Sequence, residues 1–269
     1  MLNYAELLPG ANLRPYVRKY WTIDNALSSL TPATKYVLPN TCFTLALISG
    51  AGVIIHHSNQ VHHLVTGHYL VGQLSQKTGV TLLPGTKAIM VQFNPWAAPL
   101  LSNIPFHELT DNFADLIDVN RTLALALRGA DAFGRLHAIK QLEQVLNHYM
   151  APTSASAFVA GCFHLFNNTE PTQPFKITAL AAYTGYTTRG IEKKFKQHVG
   201  LTPKQTHTIF KVRSVVDALV LPSHEQSLTA LAYRFGYADQ SHFIKAFQQV
   251  MNEPPSRFVE EQYILPNPQ

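Results

Sequence analysis

One string occurs twice in the last third of this chain, and the repeat limits what that part can fold into. Thr178-Ala-Leu-Ala-Ala-Tyr-Thr-Gly-Tyr186 returns 51 residues later as Thr229-Ala-Leu-Ala-Tyr-Arg-Phe-Gly-Tyr237. Each copy leads into a second amphipathic stretch with a phenylalanine, Phe195 or Phe247, in an equivalent place. A short helix, a turn containing glycine and a second helix form the layout of a helix-turn-helix, whose second helix can lie in the DNA major groove. Two such units predict two groove readers on one chain.

The side chains agree with that layout. In the first unit Thr187 or Thr188 is placed to cap the second helix. With Ile191, Phe195 and Val199 turned inward, Thr188, Arg189, Glu192, Lys193 and Lys196 face out. In the second unit Phe243, Phe247 and Val250 make the inner stripe, and Gln240, Ser241, Lys245 and Gln248 the outer one. Arginine and lysine can donate to guanine or phosphate, glutamine can pair with adenine, and glutamate can accept from cytosine. Between the units one helix is predicted from Pro203 to Leu221, with a stripe of Ile209, Val212, Val216, Leu219 and Val220. Eighteen or so residues give a rod of about 28 Å, close to the roughly 34 Å between successive major grooves on one DNA face. Lys204 and Lys211 on the rod, and Arg213 at the edge of its stripe, are candidate phosphate contacts with Thr188, Lys196 and Gln248.

Charge supports a polyanionic partner: residues 174–269 hold 11 Lys+Arg against 7 Asp+Glu, and residues 1–173 hold 10 against 9. At 269 residues the length suits two domains. A hydrophobic share of 46% and a mean hydropathy of −0.01 fit packed cores, not disorder. Cys42 and Cys162 lie far apart and read as reduced thiols. No signal peptide opens the sequence and the apolar run over 42–55 is too short to span a bilayer, so a cytoplasmic chain without membrane attachment is expected.

Ahead of the repeat the pattern is strand-like. Short β-prone runs at 36–38, 42–48, 53–55, 80–83 and 88–93 are divided by turn signals, which predicts an antiparallel sandwich or barrel. Helical spacing begins after Pro95, over 123–127, 136–149 and 154–166. Residues 167–174, polar and twice interrupted by proline, read as the linker. The expected organisation is a barrel over 1–120, a helical connector over 121–166, the linker, a paired helix-turn-helix domain over 175–262 and a tail over 263–269. The stripe Leu136, Ile139, Leu142, Leu146 has two readings, a homodimer face or a cover for the barrel.

Residues 174–262 resemble the C-terminal DNA-binding domain of the AraC/XylS transcription regulators. The resemblance rests on Leu180-Ala181, Gly185-Tyr-Thr, Ile191-Glu-Lys-Lys-Phe195-Lys, Gly200-Leu-Thr-Pro-Lys204, Arg213, Leu231-Ala232 and Gly236-Tyr-Ala-Asp-Gln-Ser-His-Phe243 with Phe247. It implies seven helices, two of them entering successive major grooves of double-stranded DNA, and regulation of bacterial transcription, more often activation through RNA polymerase. By position it implies base contacts from Arg189, Glu192 and Lys193, and from Gln240, Ser241 and Lys245. Two departures stand out: Lys193-Lys194 where the family often has arginine, and Asn252-Glu-Pro-Pro255 in place of a glycine-initiated motif. Leu13-Arg-Pro-Tyr-Val-Arg-Lys-Tyr-Trp21, Val37-Leu-Pro-Asn40 and Val91-Gln-Phe-Asn-Pro95 are similar to the cupin-like barrel of an uncharacterised subgroup. Such barrels bind a small effector or dimerise. The implied fold is α+β: a cupin-like antiparallel β-barrel with helices, then an all-α domain of two helix-turn-helix units on a long linker helix.

His56, His57, His62, His63 and His68 crowd one predicted hairpin. Adjacent strand residues point to opposite faces and no carboxylate accompanies them, so a solvated hairpin is expected and no metal or other cofactor. Two other functions fit parts of the pattern, a DNA-targeted enzyme with a catalytic barrel and an architectural binder without sequence preference. Ser75 and Ser102 stand in no nucleophile-elbow context, and no catalytic residue is expected. The effector, if any, is unknown.

Overall fold

The computed structural model describes residues 3–25, 34–58, 60–129, 135–169, 173, 175–220 and 227–264. Ten strands come first: β1 (Asn3–Leu7), β2 (Val17–Asp24), β3 (Thr34–Val37), β4 (Phe43–Ser49), β5 (Val53–His57), β6 (Gln60–Leu64), β7 (Gly67–Val71), β8 (Thr78–Leu82), β9 (Lys87–Phe93) and, after α1 (Ala98–Leu101), β10 (Phe113–Asp115). They pair antiparallel in two sheets, ordered β1-β2-β9-β4-β7-β10 and β3-β8-β5-β6. Alternation along β4 explains the layers. Phe43, Leu45 and Leu47 pack into one core beneath the helices, while Ala46 and Ile48 face the space between the sheets.

Helices α2 (Leu116–Val119), α3 (Arg121–Ala126) and α4 (Arg135–Tyr149) cover the first core. The stripe of α4 is spent there. Ile139, Leu142 and Leu146 are buried against the six-stranded sheet, and only Leu136, 66% exposed, remains of the proposed dimer face.

Among the described residues the regular elements of the last third are helices: α5 (Ser154–Asn168), α6 (Ile177–Thr184), α7 (Thr188–His198), α8 (Pro203–Val220), α9 (Leu228–Arg234) and α10 (Gln240–Met251). Thr153 and Ser156 form a capping box that starts α5. The expected division of the chain differs here. Asn167 and Asn168, assigned to the linker, finish α5; residues 170–172 and 174 of that linker, Leu221 and residues 265–269 of the tail lie outside the described residues. Nor does α5 act as a connector. Its Val159, Cys162, Phe163 and Phe166 close the core of the first repeat with Leu180, Ile191, Phe195 and Val199. An amphipathic pair of helices as short as α6 and α7 cannot bury both apolar faces alone, and α5 supplies the third wall. Among the described residues no helix is long and apolar enough to cross a membrane.

Candidate nucleic-acid interface

Both repeats form helix-turn-helix units. In the first, Gly185 ends α6 in the left-handed region at φ 72°, and the Thr187 hydroxyl accepts from the Gly190 amide to cap α7. In the second, Ser227 caps α9, Gly236 turns at φ 65°, and Asp239 caps α10 through the His242 amide. The second turn is one residue longer, with Ala238 inserted, so the offset grows from 51 through α6, α9 and the glycine of the turn to 52 in α7 and α10. Lys193 therefore corresponds to Lys245, Arg189 to Ser241 and Glu192 to Ile244. Asn252 ends α10 at φ 54°, in the conformation usually taken by glycine.

The inner faces are as expected: Ile191, Phe195, Val199, Phe243, Phe247 and Val250 are all buried. On the outer faces Thr188, Arg189, Glu192, Lys193 and Lys196 of α7, and Gln240, Ser241, Lys245 and Gln248 of α10, are exposed. Gln240 is held in place by the Thr229 hydroxyl, 3.0 Å from its Oε1, which gives the leading threonine of the repeat a purpose. Lys194 does not join its neighbour on the outer face. Its ammonium lies 4.7 Å from the Tyr186 ring centre and 5.5 Å from that of Phe158, a cation–π seat that ties α7 to α5.

The rod α8 spans 18 residues, with Thr202 and Gln205 bonded reciprocally at its start. Ile209, Val212, Val215 and Val216 are buried on it; Val215 escaped the predicted stripe. Lys204 is exposed. Two of the predicted phosphate contacts are engaged elsewhere. Lys211 Nζ donates to the Gly236 carbonyl at 3.0 Å and sits 4.1 Å from the Tyr237 ring centre, and burial holds its pKa below the usual lysine value. It locks the rod to the second turn. Arg213 Nε donates to Asp217 at 2.8 Å, and its charge is felt at Lys19 and Cys42 of the N-terminal domain.

His207, on the same rod, stacks on Phe175 with centres 5.0 Å apart. Burial, reinforced by the Lys211 charge, pushes its pKa down to about 4. Between pH 6.5 and 4 the unfolded imidazole takes a proton that the folded one refuses, so this stability is present above pH 6.5 and lost as pH falls. Thermal unfolding of the parent at pH 7 and pH 4.5 should show a clear drop, and His207→Phe should reduce it. An equal drop in the variant would assign the effect to other groups, such as His198, also lowered by burial and by Lys194.

The histidines of the N-terminal domain have separate partners. His56 meets Thr81 at 3.0 Å, His57 meets Thr78 at 2.8 Å, and His63 meets the Ala51 carbonyl at 3.0 Å. His62 packs edge-on to Phe113, and His68 belongs to the other sheet rather than to the β5–β6 hairpin. The Ser75 hydroxyl donates to Asp111 and that of Ser102 to the Val119 carbonyl.

Sequence reasoning missed the seam between the domains. The Lys77 amide donates to the Val250 carbonyl at 2.8 Å, and its ammonium lies 3.0 Å from Glu253, against the rings of Tyr36 and Tyr263. Tyr263 forms a parallel bridge with Tyr36, and the Ile264 amide donates to the Tyr36 carbonyl at 2.8 Å. Leu38 is buried in the core of the second unit. Under the first unit, Thr110 donates to the Gly200 carbonyl at 2.8 Å and Trp96 packs on Phe163. No local period marks such contacts, which join residues far apart in the chain.

Residues 180–261 match the family described as a helix-turn-helix domain, and residues 5–115 match a domain of unknown function, DUF6597. An uncharacterised HTH-type transcriptional regulator of Haemophilus influenzae is 30% identical over 89 residues, 33% of this chain and 29% of that protein. The HTH-type transcriptional activator RhaS of Salmonella arizonae is 31% identical over 77 residues, 29% of this chain and 27% of its own length. The chain thus spans less than a third of the length of these relatives. The structure of ToxT from Vibrio cholerae aligns with 88% of this chain and 96% of its own, at 12% identity and a TM-score of 0.46.

Proposed function

For a chain that belongs to the AraC family of helix-turn-helix proteins, we propose a sequence-specific DNA-binding transcription regulator that lays α7 and α10 in successive major grooves of double-stranded DNA. The observation that carries this reading is the pair of helices joined by one rod, each with a buried apolar stripe centred on a phenylalanine and an exposed polar face. Arg189, Glu192 and Lys193 contact bases in one half-site, and Gln240, Ser241 and Lys245 in the other. Thr188, Lys196, Lys204 and Gln248 contact phosphates. Lys211 and Arg213 leave the phosphate set because their side chains are bound within the protein. The regulator acts as an activator through RNA polymerase, in keeping with the named activity of the RhaS relative. The N-terminal domain receives an effector, and the two unlike readers recognise an asymmetric site as one chain.

The test is selection of binding sites from randomised DNA with the full chain, followed by affinity measurements on variants. Lys193→Ala and Lys245→Ala should each weaken binding by about 1–3 kcal/mol and relax preference in separate half-sites about one turn apart. If both variants keep parental affinity and preference at physiological salt, the reading faces are wrongly assigned. Affinity that depends on salt alone, with no sequence enriched, would indicate an architectural binder instead.

A further inference from the structure

The two sheets enclose a cavity of about 120 Å³. Its wall is chiefly aliphatic, with Ile23, Ile48, Val53, Leu64, Leu82 and Met90 facing it. Several polar groups at its rim are already committed to one another, whereas Nε1 of Trp21, which also lines the space, is buried without a hydrogen-bond partner among the described residues. His57 Nδ1 lies 2.8 Å from the Thr78 hydroxyl and its Nε2 lies 3.8 Å from Asp111, whose carboxylate also accepts from the Ser75 amide at 2.6 Å. Among the described residues no lysine or arginine lines the space. An anion placed there would meet Asp111 without a counter-charge, and any unpaired ion would lose its hydration for nothing. The chemistry of the wall fits an uncharged occupant.

Two wall residues connect the cavity to the second reader. Leu38 lines the cavity and is buried in the same cluster as Val216, Phe243 and Phe247. Ile264 lines it from the segment that follows α10 and is held to the edge strand β3 by its bond to Tyr36. We propose that the cavity binds a neutral, largely apolar small molecule, and that Leu38 and Ile264 make this binding and the docking of the second reader one equilibrium. This rests on the reading of the N-terminal domain as effector-binding and gives that effector a chemical class. The molecule favours the docked arrangement because only that arrangement completes the wall, and a ligand shifts an equilibrium by its differential affinity for the two states.

Calorimetric titration of the full chain at pH 7 with 2-octanone, and with octanoate as its charged counterpart, tests the site. We expect one saturable site for 2-octanone and binding of octanoate about 100-fold weaker, reflecting the desolvated charge. Octanoate binding as tightly as the ketone overturns the assignment, as does a chain that binds selected DNA but not 2-octanone. That second result leaves the regulator reading intact, whereas a chain that binds 2-octanone and no DNA sequence overturns the regulator reading alone. Ala46→Leu fills the cavity and should abolish ketone binding. Ile264→Ala, at the rim, tests the same wall without burdening the core and should weaken ketone binding roughly five-fold. Amide hydrogen exchange reads the coupling: 2-octanone should slow exchange at Ile264 and Lys77 about tenfold or more. Unchanged exchange at both amides with the ketone bound overturns the coupling.

Discussion

Phe195→Ala is expected to cost about 3–5 kcal/mol and to melt the first helix-turn-helix unit. The ring is fully buried and lies 6.1 Å from Phe158, 6.5 Å from Phe163 and 6.1 Å from Phe166, all on α5. Its loss opens a hole between three helices that share one small core, and the side chains around it are rings that cannot collapse into the space. A loss of that size is a large fraction of the stability of a domain of ordinary size, about 5–15 kcal/mol. Denaturant unfolding followed by circular dichroism gives the cost. The fluorescence of Trp96, which packs on Phe163, reports whether α5 has let go. A cost below about 1 kcal/mol would mean that the first unit does not depend on α5.

Lys77→Met comes next in expected size. Lys77 and Glu253 face each other at 3.0 Å with side chains only 12% and 16% exposed, and the Tyr263 hydroxyl also donates to Glu253. Removing the lysine leaves a largely buried carboxylate with one neutral donor, which costs about 3–5 kcal/mol where a buried pair is broken from one side. The seam should loosen, because Lys77 also supports the rings of Tyr36 and Tyr263. Adding Glu253→Gln removes the stranded charge, so the double variant should regain most of the loss. Urea unfolding of the two single variants and the double variant closes the cycle. If the double variant loses the sum of the single losses, the two residues act independently and the pair does not hold the domains together.

The sequence was legible wherever a local rule operates. The repeat predicted both helix-turn-helix units, the cap of α7 and the inner faces, since a period of three and four residues and a threonine before a helix leave direct marks. Short strands bounded by turn residues announced an antiparallel N-terminal domain through β3, β4, β5, β8 and β9, though β1, β2, β7 and β10 lie outside the runs that stand out. What failed was the assignment of partners. Lys211 reads as a solvent-facing phosphate contact from spacing alone, yet the Gly236 carbonyl it captures lies 25 residues away. Helix α5 reads as a connector because its polar ending resembles a linker, although its Phe163 and Phe166 complete a core built mainly from residues after it. Leu38, Lys77 and Ile264 have ordinary local contexts, and only the tertiary fold brings them to one seam.

The two readers are closed by different parts of the chain. The first is completed by α5, which immediately precedes it, whereas the second takes Leu38 from the opening domain and Tyr263 from the stretch behind it into its core. In evolutionary terms the first reader is close to a transplantable part: a gene cut made ahead of Thr153 keeps its buried core and forfeits the packing of Trp96 and the Thr110 bond at its edge. The second is not. Recombination that gives this DNA-binding half a new front half must also supply a residue to fill the place of Leu38, so such an exchange is expected to disturb the second reader more than the first.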